Sequence, residues 1–330
     1  MDKSVAPPSG DKHDYMSQGP YWWPDPSKPH GLPYIRRDGE HNPEIKKITD
    51  FEEMGRMSQC SRDLALAWYL TGKDAYANRA ALLLRTWFLN PATKMNPNLN
   101  FGQGIPGITT GRGTGIIDSH VLVPVIDTAG LLAGSAAWTA ADNRGLRDWF
   151  TQYLQWMRTS TIGRDEDAAR NNHGSWYDVQ VTGFALFTGD GAVAADTLER
   201  AKARRIAVQI EPDGRQPLEL ARTNAWGYSN FNLEALCELA TLGQAAGIDL
   251  WHFRTADGRS IRAAIDFLVP YASGEKQWDY QQIGGFRADA LAPTLRRAQI
   301  AYHDPKYGEL ADRLDSGKHN LDMLLLSAGN

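Results

Sequence analysis

From residue 50 onward, apolar positions recur at three- and four-residue steps, the period of a helix with one buried face. In FEEMGRMSQCSRDLALAWYLTG the set Met54, Met57, Cys60, Leu64, Ala67 and Trp68 keeps that step. Gly72 closes this helix, and DAYANRAALLLRTWFL opens another behind Asp74. The same pattern predicts helices near 118–134, 139–160, 174–188, 192–209, 229–246, 258–272, 292–302 and 304–314, and nothing reads as a sheet. YLTGKDAYA and LFTGDGAVA each end one helix in Thr-Gly and start the next with small residues, a faint repeat of helical hairpins. The expected fold is all-α, an α/α toroid built of such hairpins. No composition shift marks a boundary, so residues 19–330 read as one domain behind a flexible lead at 1–18, which is polar and bears Pro and Gly.

Two long segments break the helical pattern: GPYWWPDPSKPHGLPYIRRDGEHNP at 19–43 and NPNLNFGQGIPGITTGRGTGIID at 96–118. Loops of this length in compact domains are usually functional or disordered, and their aromatics and amides argue against disorder. In an α/α toroid such loops gather at one end and build a cleft. GQGIPG matches GxGxxG, but it follows no predicted strand, contains Pro106 and opens no clear helix. Dinucleotide binding is therefore not expected, and the glycines suit a loop passing close to a ligand. Trp22 and Trp23, braced by Pro24 and Pro26, suit either stacking on a sugar face or a hydrophobic strap across the core. Arg36 and Arg37 suit either forked contacts to carboxylates or plain solvation.

Composition narrows the function classes. The 330 residues are 42% hydrophobic and 22% charged, with a formal net charge of −4 and no Lys/Arg block, so neither nucleic acid nor a membrane surface is an expected partner. No apolar run approaches the roughly 20 residues that span a bilayer. Cys60 and Cys237 both sit in apolar helical patterns, where a buried free thiol is the common outcome and one disulfide the alternative. No CxxC, HExxH or paired-His spacing suggests a metal, and no cofactor is expected.

Two polar clusters carry chemistry. The first is RNNHGSWYDVQ, with Asn171, Asn172 and His173 adjacent, where the bland alternative is helix capping. The second is EPDGRQPLELARTNAWGYSNFNL, where Pro212, Gly214 and Pro217 break the preceding helix. Ser229 or Asn230 is a candidate cap for the next helix, and Arg222 stands six residues before Tyr228. These residue types fit the cleavage of a 4-linked uronate polymer by loss of the C5 proton and expulsion of O4. The carboxylate beside C5 resists further negative charge, so directed donors such as Asn, His and Arg must neutralise it. A base and an acid must then move protons. Tyrosine, with an ordinary pKa of about 10, needs a neighbouring cation or a hydrogen bond to its ionised form to serve as that base.

NNHGSW, RTNAWGY and YWWPDP together resemble the alginate lyase superfamily of polysaccharide lyases, most nearly the family thirty-eight endo-glucuronan (cellouronate) lyases and more distantly the family five alginate lyases. The resemblance runs from about Gly19 to beyond Tyr228. It implies an α/α toroid, no cofactor, and an Asn-His pair facing an Arg and a Tyr, here Asn172, His173, Arg222 and Tyr228. By that resemblance Asn172 with Arg222 neutralises the uronate carboxylate, Tyr228 is base and acid, and His173 polarises the carboxylate or orients Tyr228. In an anti elimination His173 is instead the base. Asn171, Trp22, Trp23, Arg36, Arg37, Gln103, Arg112 and His120 are secondary candidates for substrate contacts. The expected partner is an acidic polysaccharide, either glucuronan or polymannuronate, met by a monomer. A polymer substrate implies a periplasmic or secreted protein, although MDKSVAPPSGDKHDYMSQGP shows no signal-peptide h-region.

Two other classes compete. A glycoside hydrolase on the same scaffold needs two flanking carboxylates, and Asp178, Asp213, Glu219 and Asp279 form no convincing pair with the polar clusters. A non-catalytic glycan-binding protein would use the tryptophans and arginines but leaves the His–Arg–Tyr set unexplained.

Overall fold

The structure, a computed structural model, describes residues 3–315. Helices dominate, with α1 Asp50–Thr71, α2 Asp74–Leu84, α3 Val123–Leu131, α4 Ala140–Thr159, α5 Thr161–Asp167, α6 Asn172–Thr188 and α7 Gly191–Ala201 in the first part of the chain. There follow α8 Ala207–Gln209, α9 Pro217–Leu220, α10 Ala225–Ala245, α11 Ile261–Ala272, α12 Ala292–Tyr302 and α13 Pro305–Leu314. The all-α expectation holds. The described residues group into two compact units, 3–168 with 180–194 and 169–179 with 195–315. The division falls inside α6, where nothing in the composition changes, which is why the sequence reads as continuous.

In the first unit, α1 and α2 pair as a hairpin closed by Gly72, whose positive φ of 67° ends α1 in the left-handed region. The buried stripe of α1 is Met54, Met57, Ser58, Ser61 and Ala65 rather than the face predicted through Cys60. Cys60 lies on the other side and is exposed, while Cys237 is buried in α10; both thiols are free. α4 starts with a full capping box, Thr139 with Asp142, and its inner face carries Trp149, Phe150 and Tyr153. These rings pack on Phe88 and Phe184, with Phe150 and Phe184 centroids 4.7 Å apart.

Among the described residues there are also four short strands where no sheet was expected. β1 Met16–Gln18 pairs in parallel with β4 Phe101–Gly104, and β2 Trp22–Trp23 pairs antiparallel with β3 Ile35–Arg36. At two to four residues, such strands are too short to show alternation. β1 also anchors the segment expected to be a flexible lead: Tyr15 is buried, and Lys3 donates to Asp50. Two glycines of GQGIPG admit other backbone. A Cβ on Gly102 would meet Gly115, and one on Gly104 would meet the Thr110 carbonyl at 2.8 Å.

In the second unit, Trp226 at the start of α10 packs against Trp278 and Phe286, and Trp176 of α6 packs on Phe231 of α10. Leu233, Leu236, Ile265, Leu268, Leu295 and Tyr307 complete a core shared by α10 to α13. A π-helical turn at Lys202–Ile206 follows α7 and carries Arg205 to the interior.

Candidate active site

The opening turn of α6 is held by four separate devices, each with a visible cause. Asn171 takes the position before the helix, its carbonyl accepting from Gly174 and Ser175. Gly174 is small because Arg205 passes there: a Cβ would lie 2.4 Å from the Arg205 guanidinium and 2.2 Å from the Ala169 carbonyl. Arg205 itself forms a buried ion pair with Asp178 at 2.8 Å and donates to Ala169 O at 2.7 Å. A chain of buried polar groups then runs outward. Ser175 donates to Gln209 Oε1, and Asn232 donates to both Gln209 and Gln216. Gln209 donates to Asn171 O, and Gln216 to Ser229 O. These bonds tie α6 to α8 and α10, and in a low-dielectric interior such networks fix geometry as well as satisfying donors.

Glu219, in the short helix α9, supplies the fourth device. Its carboxylate accepts from the Asn172 backbone N–H at 2.7 Å and from Asn172 Nδ2 at 2.7 Å. A carboxylate at a helix N-terminus satisfies an orphan donor and meets the positive end of the helix dipole. Burial pushes the Glu219 carboxyl above its ordinary value, while the two Asn172 bonds and the charges of Arg222 and His173 pull it back. Three residues on, Arg222 donates its backbone N–H to the Glu219 carbonyl. The Arg222 guanidinium carbon lies 3.6 Å from the centroid of the Tyr228 ring, a close cation–π stack.

Asn172, His173, Arg222 and Tyr228 thus belong to one compact unit, reached from α6 on one side and from α9 and α10 on the other. His173, Arg222 and Tyr228 are partly exposed. Asn172 differs from expectation: it is fully buried, its amide nitrogen is committed to Glu219, and its Oδ1 has no hydrogen-bond partner. Its side chain meets Glu219 rather than open solvent. The cap expected at Ser229 or Asn230 is also displaced. α10 begins earlier, after Asn224, so Tyr228 lies in its first turn and Ser229 and Asn230 are buried within it. Ala225 N–H finds an acceptor in Gln281 O, which lets the helix start there without a side-chain cap.

The remaining candidates fall in the first unit. Arg112 lies 5.8 Å from the Trp22 ring centroid and Arg37 5.1 Å from that of Trp23, so both indoles are half-buried under guanidinium groups. Arg36 is exposed and paired with Asp38. Gln103 is buried rather than presented to solvent. Its Nε2 donates to Asp118 and its Oε1 accepts from Arg112, so both ends of the amide are used. Tyr15 and Ser17 also donate to Asp118. Burial pushes the Arg112 guanidinium and the His120 imidazole below their ordinary values, and His120 Nδ1 sits 2.7 Å from the Ile117 carbonyl.

Of the four carboxylates weighed for a hydrolase, Asp178 pairs with Arg205, Glu219 accepts from Asn172 and Asp213 pairs with Arg215, while Asp279 is exposed. Among the described residues no group of three or more His, Cys, Asp or Glu is placed to hold a metal, and no helix is long and apolar enough to cross a membrane.

No curated protein matches the chain. Among solved structures, the crystal structure of an alginate lyase from Bacteroides ovatus superposes with a TM-score of 0.93 at 44% identity, over 98% of this chain and 86% of that one. Two structures of alginate lyase A1-III share the fold at 17% identity. A histidine-to-alanine variant complexed with tetrasaccharide gives a TM-score of 0.63 over 92% of this chain and 80% of that one. A tyrosine-to-phenylalanine variant, also complexed with tetrasaccharide, gives 0.56 over 84% and 74%. These matches agree with an all-α toroid class. The alginate lyase family model covers residues 1–278, and the chain belongs to the alginate lyase family of polysaccharide lyases.

Proposed function

We propose that this lyase cleaves β-1,4-linked polyuronate by β-elimination, with glucuronan (cellouronate) the favoured substrate and polymannuronate the second. The observation that carries the reading is the Arg222 guanidinium stacked 3.6 Å from the Tyr228 ring centroid, in the same compact unit as His173. Arg222 and His173 neutralise the carboxylate, so that negative charge developing at C5 is met by fixed donors. Tyr228, stacked against the Arg222 cation, takes the C5 proton and returns a proton to O4. In β-D-glucuronate and β-D-mannuronate, H5 and O4 leave from the same side, so one phenol serves both steps. Trp22, Trp23, Arg37 and Arg112 offer flat apolar faces and positive charge suited to an acidic polymer. The A1-III variants complexed with tetrasaccharide, with a histidine or a tyrosine replaced, support a His–Tyr site for an oligosaccharide. A polymeric substrate favours a periplasmic or secreted enzyme acting as a monomer.

Elimination leaves a C4=C5 double bond conjugated with the carboxylate, which absorbs in the ultraviolet; hydrolysis does not. On a panel of polyuronates the wild-type protein should raise this absorbance, most with glucuronan. Tyr228→Phe should abolish it while leaving the helical circular dichroism intact. His173→Ala should cost more activity than Asn171→Ala, and the reverse order would move the centre of the site.

A further inference from the structure

The two halves of the site lie far apart in sequence, and one side chain spans them. Asn172 and Glu219 are 47 residues apart, yet both oxygens of the Glu219 carboxylate are taken up by Asn172, one by its backbone N–H and one by Nδ2. Glu219 is 1% exposed and Asn172 0%, so water does not compete for these bonds. On its other side Glu219 is joined by its own carbonyl to the Arg222 N–H. The geometry points to Glu219 as a positioning residue for the elimination, one that sets the Asn172–His173 turn against the Arg222–Tyr228 turn and fixes the direction of the Asn172 amide.

The argument turns on acceptor chemistry. An ionised carboxylate only accepts, so it admits one orientation of the Asn172 amide, with Nδ2 toward Glu219 and Oδ1 away. A glutamine in its place offers one acceptor and one NH2 donor. The acceptor can keep the Asn172 backbone N–H, but the NH2 then faces Nδ2, donor against donor, and the Asn172 amide must turn over. His173 is the next residue on the same turn, so a change in how that turn is held reaches the imidazole directly. Arg222 and His173 both act electrostatically on the Glu219 carboxyl, drawing it toward its charged form against burial, and glutamine removes that interaction. Neither effect requires Glu219 to touch substrate.

This inference rests on the elimination reading, and the experiment separates the two. Turnover of polyuronate by the wild-type enzyme tests the reading. The ratio of variant to wild type, read as kcat and KM separately, tests the role of Glu219. Glu219→Gln is nearly isosteric and should lower kcat about tenfold or more while changing KM by less than about threefold. Its melting temperature should fall by no more than about 4 °C. A kcat within about twofold of wild type would overturn the proposal. The double variant Asn172→Asp with Glu219→Gln restores a donor–acceptor pair between the two side chains but removes the amide and moves the charge. It should recover stability and leave kcat low. Recovery of wild-type kcat by the double variant would show that any cross-link between the turns suffices, and would also overturn the proposal. Should Glu219→Gln fail to fold, the double variant carries the same test.

Discussion

Each compact unit encloses a carboxylate that gathers donors from distant parts of the chain, and the two are used differently. Asp118 accepts from Tyr15, Ser17 and Gln103, and the same Gln103 amide accepts from Arg112. Every end of that amide is matched, and what the network holds is the junction of β1 with the 96–118 loop. Glu219 also takes two donors, but both belong to Asn172, and Asn172 Oδ1 is left without a partner. The difference lies in what supplies the donors: three separate residues meet Asp118, and a single residue meets Glu219 through its backbone and its side chain. The first cluster joins separate stretches of the fold, and the second holds the one turn that carries His173.

The sharpest way to break this comparison is Asp118→Asn. The new NH2 would face donors from Tyr15, Ser17 or Gln103, and stability should fall by roughly 3 kcal/mol as buried donors lose their acceptor. Chemical denaturation should show the loss, and the surviving folded enzyme should keep far more of its kcat than Glu219→Gln. The opposite pattern would make Asp118 the positioning carboxylate and Glu219 the structural one.

A pair of glycines gives a finer test. An added Cβ at Gly115 would lie 2.3 Å from the Gly102 backbone, and one at Gly174 would lie 2.4 Å from the Arg205 guanidinium. Either alanine should cost about 1–3 kcal/mol of stability by overpacking. Gly174→Ala should also lower kcat, because the displaced arginine loosens the turn that carries His173. Equal kcat losses in the two variants, measured at matched folded fraction, would remove that distinction.

The smallest effect concerns Asp142, a carboxylate that serves the fold at the surface of the first unit. The Arg85 hydrogen bonds, followed by those of Thr139, hold its carboxyl well below the ordinary aspartate range despite partial burial. A carboxyl whose folded value is depressed adds stability above its unfolded value and loses it as pH falls toward the folded one. Arg85 is 37% exposed, so solvent screening limits the pair to roughly 0.5–1 kcal/mol. Asp142→Asn should therefore melt earlier than wild type at pH 7, with the gap narrowing as the pH drops below about 3.9. A gap that widens in acid would reverse the sign of this account.

Much of the fold was legible because it is built of long amphipathic helices, whose 3.6-residue period survives in the sequence. What escaped had no such period. The strands at Met16–Gln18 and Trp22–Trp23 are too short to alternate, and α5 was hidden in the charged stretch GRDEDAA. Within the site, NNHGSW and RTNAWGY stood out by residue type, and the structure brings Arg222 against Tyr228. Their linkage through Glu219 did not stand out, since an acidic residue in a four-residue helix bounded by Pro217 carries no signal of a partner 47 positions away. The burial of Asn172 escaped for the same reason. Residue type names the chemistry a side chain can perform, while only the packed turn shows which way it faces.

The central claim is that Tyr228, beside Arg222, carries out an elimination. Its most direct test is the ultraviolet absorbance released from glucuronan and polymannuronate by wild type and by Tyr228→Phe, at equal folded concentration. The account predicts a steady rise with wild type, faster on glucuronan, and none above background with the variant. Near-normal release of unsaturated product by Tyr228→Phe would contradict it.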